Sequence, residues 1–173
     1  MNKSIKKMTI TGCCIALGII LPMAFHMIPN AGSIFLPMHI PVLLCGILCG
    51  WQYGAICGIL TPFLSSTFTG MPPAAMLPAM MCELFTYGLT SGLLSQFVNF
   101  KNPLASTYTH LIGAMLAGRI VSGIVNALIF RVGNYSLEIF LSAALFTAIP
   151  GILIQLIIIP ILVYILKYKS KVI

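Results

Sequence analysis

Acidic residues are almost absent from this chain: only Glu83 and Glu138 occur among its 173 residues. Charged residues of both signs make up 6% of the sequence, against roughly 25% in ordinary globular domains. So small a share does not cover the surface of a water-soluble fold, which excludes soluble enzymes and soluble binding domains. The formal net charge of +7 therefore reports how the chain lies in a membrane, not an affinity for nucleic acid.

Motifs that carry chemistry are also missing. The sequence contains no GxxxxGK[ST] phosphate loop, no HExxH zinc motif, no GxSxG nucleophile elbow and no paired aspartates for a metal. Its six cysteines lie in apolar stretches without a CxxC pair, which is typical of buried free thiols. We therefore expect a binding protein, not an enzyme. We expect it to use no cofactor and no metal, and not to hydrolyse ATP by itself.

What the sequence does contain is long apolar runs bounded by lysines. About 20 apolar residues cross the hydrocarbon core of a bilayer, and the runs here reach that length. Glycine, proline and asparagine divide them into six predicted spans. The predicted spans are Met8–Met27, Phe35–Cys49, a third from after Trp51 and Tyr53 to Phe68, Leu77–Val98, Thr109–Phe130 and Leu141–Leu166.

With six spans, all seven lysines fall on one side of the membrane. The positive-inside rule makes that side cytoplasmic, so both termini are expected there. We interpret residues 1–173 as one all-α transmembrane domain. A cleaved signal peptide at Met1–Ala24 is disfavoured, because the first run lacks a small-x-small cleavage site. The lysines are Lys3, Lys6, Lys7, Lys101, Lys167, Lys169 and Lys171.

Small residues recur at four-residue spacing on these spans, which lets the backbones of neighbouring helices approach closely. We expect most of the pairs to pack inside the bundle. Gly12 and Ala16 differ, because they lie on the cytoplasmic half of the first span, where a partner subunit can dock. The pairs are Gly12 and Ala16, Gly46 and Gly50, Gly54 and Gly58, Gly88 and Gly92, Gly113 and Ala117, and Gly123 and Ala127.

A polar minority lies inside the spans. Arg119 is near the middle of the fifth span, Asn126 lies two turns further outward, and Glu83 is in the outer third of the fourth. His26 and His39 flank the first outer loop. A charge at such depth costs at least about 2.5 kcal/mol, so it faces a partner or a cavity. Two interpretations stay open: a Glu83–Arg119 pair that only ties two helices together, and a polar pocket that opens outward.

Four stretches of the sequence carry a family resemblance: Ala16–Pro22, the loop Pro29–Ser33, the run FLPMHIPVLL at Phe35–Leu44, and Gly50 onward to the loop Thr69–Pro73. Together with the length, the six spans and the cytoplasmic ends, they resemble the S component of an energy-coupling factor (ECF) vitamin transporter. The resemblance covers nearly the whole chain. Gly12 and Ala16 are similar to the family's alanine-rich coupling motif, with glycine in place of one alanine.

The resemblance implies a multi-pass subunit of a prokaryotic plasma membrane that captures a vitamin or related micronutrient outside the cell. Its implied partners are a transmembrane coupling subunit and two cytoplasmic ATPases. Loops around Asn30 to Ser33 and Gly70 to Ala74 are expected to close the pocket, because proline and glycine leave their backbone uncommitted to a helix. The predicted lid residues are Gly32, Ser33, Gly70, Met71 and Pro72; the predicted substrate-binding residues are Arg119, Glu83, Asn126, His39, His26 and Asn30.

The substrate stays open between two chemistries. A buried arginine favours a carboxylate, as in pantothenate. If Glu83 neutralises Arg119, then pyridoxine, hydroxymethylpyrimidine or a cobamide-precursor base is equally compatible. A solitary secondary transporter and a membrane-embedded enzyme are the alternative functions.

Overall fold

The computed structural model of the protein describes residues 3–24, 31–129 and 148–169, and within these ranges it is helical without a β-strand. The all-α prediction is confirmed. The helices are α1 Lys3–Ala24, α2 Ala31–Phe35, α3 His39–Cys49, α4 Trp51–Thr69, α5 Leu77–Phe97, α6 Pro103–Ile129 and α7 Ile149–Val163, which continues as π-helix over Tyr164–Lys169.

Helix α5 begins and ends within one residue of its predicted span. Helix α4 begins at Trp51, which the prediction placed before the span, and α6 starts six residues before the predicted Thr109. Asn102 caps it: the Leu104 amide donates to Asn102 Oδ1 at 3.0 Å, and Pro103 takes the first helical position, where its missing N–H costs nothing. The Asn-Pro pair is thus the sequence signal for the start of this helix, and the prediction did not use it.

The second predicted span is not one helix. The short α2 and the longer α3 are separated by residues 36–38, where Leu36 adopts a positive φ of 50°. Gly32 and Ser33 lie within α2, so the prediction that their backbone is non-helical is wrong: no proline follows Asn30 until Pro37, which leaves room for a turn and a half of helix. At 11 residues, α3 alone is about 16 Å long, short of the roughly 30 Å hydrocarbon core.

Among the described residues, three helices are long and apolar enough to cross a membrane: Lys3–Ala24, Pro103–Leu128 and Ile149–Lys167. Helices α4 and α5 have 19 and 21 residues, so they match in length, but their glycines, serines and threonines make them less apolar. Many of those residues face inward. Buried members of the two helices include Gly54, Gly58, Ser65, Gly88 and Ser91, and every residue of α3 except Ile40 is buried, so α3 and the inward faces of α4 and α5 form the interior.

The closest contact in this interior joins α4 to α5 at Gly54 and Gly88. A Cβ atom on either residue would overlap the backbone carbonyl of the other, so only glycine permits this approach. A Cβ on Gly46 would likewise lie 2.6 Å from the Gly88 carbonyl oxygen. The prediction that these small residues pack inside the bundle is confirmed at these positions.

The first turns of α1, the end of α3 and the start of α4 meet at one end of the bundle, which we call the lysine end because Lys7 lies there. There the Cys49 thiol donates to the Lys7 carbonyl at 3.7 Å, and Lys7 Nζ lies 5.9 Å from the centre of the Tyr53 ring. His39 begins α3, and α3 then runs towards the lysine end. The opposite end, which we call the far end, therefore holds the start of α3, the start of α5 and the close of α6.

Candidate functional site

The predicted site residue Glu83 lies in the second turn of α5, buried to 8% exposure in the far half of the bundle. Its Oε1 atom lies 3.2 Å from Arg119 Nη1 on α6 and 3.5 Å from His39 Nε2 at the start of α3. Three helices thus bring one carboxylate, one guanidinium and one imidazole to a single point. The predicted contact between Glu83 and Arg119 is present, and His39 joins it.

Ser122 and Asn126 extend this group along α6. The Ser122 hydroxyl donates to Glu83 Oε2 at 2.9 Å, and Asn126 Nδ2 donates to the Ser122 carbonyl at 2.7 Å. Asn126 was predicted as a ligand residue; it reaches Glu83 only through Ser122. The sequence-based prediction missed Ser122, although it lies three residues after Arg119 and four before Asn126, on the same helix face.

Tyr87 was also missed. It lies one turn after Glu83 on α5, is 1% exposed, and its ring meets the His39 ring edge-on, with centroids 5.1 Å apart and planes at 71°. Such edge-to-face contacts fix ring orientation. Tyr87 therefore helps to hold the imidazole against Glu83. We call the whole group the Glu83 cluster: His39, Glu83, Tyr87, Arg119, Ser122 and Asn126.

Polar atoms in the cluster are not fully paired. Six buried side-chain atoms of the described residues lack a hydrogen-bond partner, and four of them belong to the cluster: His39 Nδ1, His39 Nε2, Glu83 Oε1 and Arg119 Nη2. The contacts of Oε1 with Arg119 and His39 are close enough for charge attraction, but their directions are not those of hydrogen bonds. A buried polar atom without a hydrogen-bond partner costs about 1 to 3 kcal/mol. A ligand that formed hydrogen bonds with these atoms would remove that cost and bind more tightly as a result.

A second polar group joins α5 to α6 at the lysine end, and the sequence-based prediction overlooked it. His110 Nε2 donates to the Val98 carbonyl at 2.5 Å. The Ser106 hydroxyl accepts from the Phe100 amide at 3.0 Å and donates to the Val98 carbonyl at 3.5 Å. We call Val98, Phe100, Ser106 and His110 the His110 clasp, because it closes the turn between the two helices.

The loop predicted as a lid after α4 is ordered by its own hydrogen bonds. Gly70 has a φ of 71° and its amide donates to the Ser66 carbonyl, which ends the helix. The Ser66 hydroxyl donates to the Pro72 carbonyl at 2.8 Å, and the Met71 amide donates to Thr69 Oγ1 at 3.2 Å. The segment is non-helical as predicted, while its role as a lid stays a prediction.

The remaining predicted residues divide into two groups. His26 and Asn30 lie outside the described residues. Gly12 and Ala16 are exposed on α1, and a Cβ atom on Gly12 would meet no atom within 4 Å. Neither residue of the pair packs against another part of the described chain. Both therefore remain available for contact with a partner, as the docking hypothesis requires.

A cleft of about 380 Å³ lies away from the Glu83 cluster, between the first half of α6 and the second half of α7. It is almost entirely apolar, so it offers little to orient a polar ligand. The described residues also hold no group of three or more histidine, cysteine or acidic side chains arranged for a metal ion. Of the polar groups described, the Glu83 cluster is the one whose unpaired atoms invite a ligand. The cleft is lined by Leu104, Tyr108, Ile157, Pro160, Ile161, Tyr164 and Ile165.

Comparison with known protein families gives a match over nearly the whole chain. The family model of the ECF transporter, substrate-specific component, matches residues 6–166. No curated protein and no solved structure matches the chain.

Proposed function

Because this chain belongs to the substrate-specific components of ECF transporters, we propose that the Glu83 cluster is the site at which it captures a vitamin-like micronutrient. The family implies a small-molecule substrate and partner subunits of the ECF module. The observation that carries the proposal is the set of unpaired polar atoms on His39, Glu83 and Arg119, buried in an otherwise apolar bundle. Unpaired polar atoms are energetically unfavourable in a membrane interior, so their presence there indicates a role in binding.

The cluster's position agrees with capture from outside the cell. It lies in the half of the bundle away from the lysines, and lysine-rich ends of membrane proteins face the cytoplasm. The sequence has no phosphate-binding loop, so we expect the ATP that drives inward transfer of the ligand to be hydrolysed by partner subunits. We therefore assign energy supply to two ATPases and a coupling subunit of a prokaryotic plasma membrane, with Gly12 and Ala16 as the contact for that coupling subunit.

Native mass spectrometry of the purified chain tests the capture role. We expect the wild-type protein to retain a small molecule from its host cells, and the variant Glu83→Ala with Arg119→Ala to lose it. Ser95→Ala is a matched control, because Ser95 also lies on α5 but its hydroxyl only donates to the Gly92 carbonyl of its own helix. Retention of the same molecule by the double alanine variant would refute the assignment of the site.

Uptake measured in cells tests the energy supply. Accumulation of the retained molecule should require co-expression of the ECF ATPases. Uptake that persists without them would instead identify a solitary secondary transporter.

A further inference from the structure

The charges of Glu83 and Arg119 cancel each other. Glu83 Oε1 and Arg119 Nη1 are 3.2 Å apart, so the carboxylate is the counter-ion of the guanidinium. No positive charge is left over from this pair for a ligand to neutralise. The arginine in this site therefore does not by itself indicate an anionic substrate.

Glu83 and Arg119 have no net charge left for a ligand to neutralise, but they do keep some hydrogen-bonding capacity. Ser122 donates to Glu83 Oε2 and thereby fixes the plane of the carboxylate, while the contacts of Oε1 with Arg119 Nη1 and His39 Nε2 lack hydrogen-bond geometry. Arg119 Nη2 is likewise buried and donates to none of the described residues. Glu83 Oε1 can therefore still accept one well-aligned hydrogen bond, and Arg119 Nη2 beside it can donate one.

An anionic ligand fits this arrangement poorly. A carboxylate that bound Arg119 Nη2 would lie within a few ångströms of the Glu83 carboxylate, in a site with little water to screen the repulsion. We expect that repulsion to weaken binding at least about tenfold relative to an uncharged ligand of the same shape. A neutral ligand can form hydrogen bonds with both Glu83 Oε1 and Arg119 Nη2 without this charge repulsion.

We propose that the Glu83 cluster selects an uncharged ligand that presents a hydrogen-bond donor next to an acceptor, as in a primary amide, a lactam or an amino-substituted nitrogen heterocycle. The ligand's donor binds Glu83 Oε1 and its acceptor binds Arg119 Nη2. His39, held by Tyr87, offers a further polar contact through a ring nitrogen. This substrate class rests on the proposed capture function and narrows it.

Fractionated yeast extract provides the test. Ion exchange at pH 7 separates its small molecules into neutral, anionic and cationic fractions, and each is added to the purified full-length chain in lipid nanodiscs. We expect the neutral fraction to give the largest rise in melting temperature, about 5 °C near saturation. A largest rise from the anionic or the cationic fraction would overturn the substrate class and leave the capture function standing. No rise from any fraction would overturn the capture function, and this inference with it.

A charge variant sharpens the result. In Glu83→Gln the Arg119 charge is no longer cancelled, so the rise in melting temperature caused by the anionic fraction should increase and that caused by the neutral fraction should fall. Asn99→Lys is the control: it changes the net charge by the same amount at an exposed position and should leave the order of the fractions unchanged. An unchanged order in a folded Glu83→Gln protein would overturn the proposal; if that variant does not fold, the wild-type comparison still decides.

Discussion

Polar side chains join α5 to α6 both at the far end and at the lysine end, but with different partners. In the His110 clasp, side chains bind backbone groups: His110 and Ser106 meet the carbonyl of Val98 and the amide of Phe100. In the Glu83 cluster, charged side chains bind one another across three helices.

The difference lies in what remains unpaired. One ring nitrogen of His110 lacks a partner among the described residues, whereas the Glu83 cluster leaves four buried atoms unpaired, two of them on charged groups. Backbone groups at a helix end need a partner in any fold, so the clasp is accounted for by structure alone. The unpaired atoms of the cluster are not, and this contrast separates a structural polar group from a binding one.

Removing one charge from the cluster should give the largest effect. Arg119→Gln leaves the Glu83 carboxylate buried without its counter-ion, and we expect a loss of stability of about 3 to 5 kcal/mol. The double variant Arg119→Gln with Glu83→Gln should recover most of that stability. Ligand affinity should stay lower by about 2 to 3 kcal/mol, or roughly 30- to 150-fold.

Melting temperatures and titrations with the retained molecule, measured on both single variants and the double variant, separate the two effects. If the double variant regains full affinity, Arg119 does not contact the substrate, and the cluster is as purely structural as the clasp.

Bulk added to α1 should affect assembly and leave the far end untouched. Replacing Gly12 and Ala16 with leucine fills an open, exposed face, and we expect association with the coupling subunit to weaken by about 2 kcal/mol, roughly 30-fold. Co-purification with the ECF module measures it.

Ala105→Leu provides a matched control for Ala16→Leu, since it makes the same substitution at an exposed position on α6. Ligand affinity should be unchanged in all these variants. An intact complex with both leucines in place would remove Gly12 and Ala16 from the interface.

The clasp should respond in stability alone. His110→Phe keeps the ring but loses the hydrogen bond to Val98, and we expect a cost of about 1 to 2 kcal/mol. Ligand affinity should change by less than about twofold, because the clasp lies at the other end of α5 and α6 from the ligand. A larger change in affinity, measured by titration beside the melting curve, would show that the His110 clasp and the Glu83 cluster are energetically coupled.

The smallest effect is expected in the loop after α4. Ser66→Ala removes the hydrogen bond to the Pro72 carbonyl and should cost about 1 kcal/mol. If this loop covers the ligand, dissociation should become up to about fivefold faster in stopped-flow measurements. Thr67→Ala is the control, since its hydroxyl bonds only to the Leu64 carbonyl within α4. Equal dissociation rates in both variants would make the loop a passive connector.

Sequence patterns predicted the helices more completely than the site. The end of α4 and the start of α5 followed from Gly70 and the proline-rich turn, because these residues end helices through local backbone chemistry. The start of α6 at Asn102 and Pro103 was readable in the same way. The positive φ of Leu36 between α2 and α3 was not readable, since no local rule favours it in a leucine.

Within the site, spacing along one helix was readable and contacts between helices were not. Ser122 and Tyr87 follow from three- and four-residue spacing to Arg119 and Glu83. The meeting of His39 with Glu83 depends on how α3 crosses α5, which the glycine contacts of the interior set. Which atoms stay unpaired depends on bond directions, and these exist only once the helices are packed.

The pairing of Glu83 with Arg119 also bears on how the nascent chain enters the bilayer. Either charge alone would oppose insertion of its helix by about 2.5 to 3.5 kcal/mol. The two charges lie on consecutive helices, and the turn between these helices is closed by hydrogen bonds of its own. We therefore expect α5 and α6 to leave the translocon together as a hairpin, since the glutamate of the first helix finds its counter-ion only when the second has been synthesised.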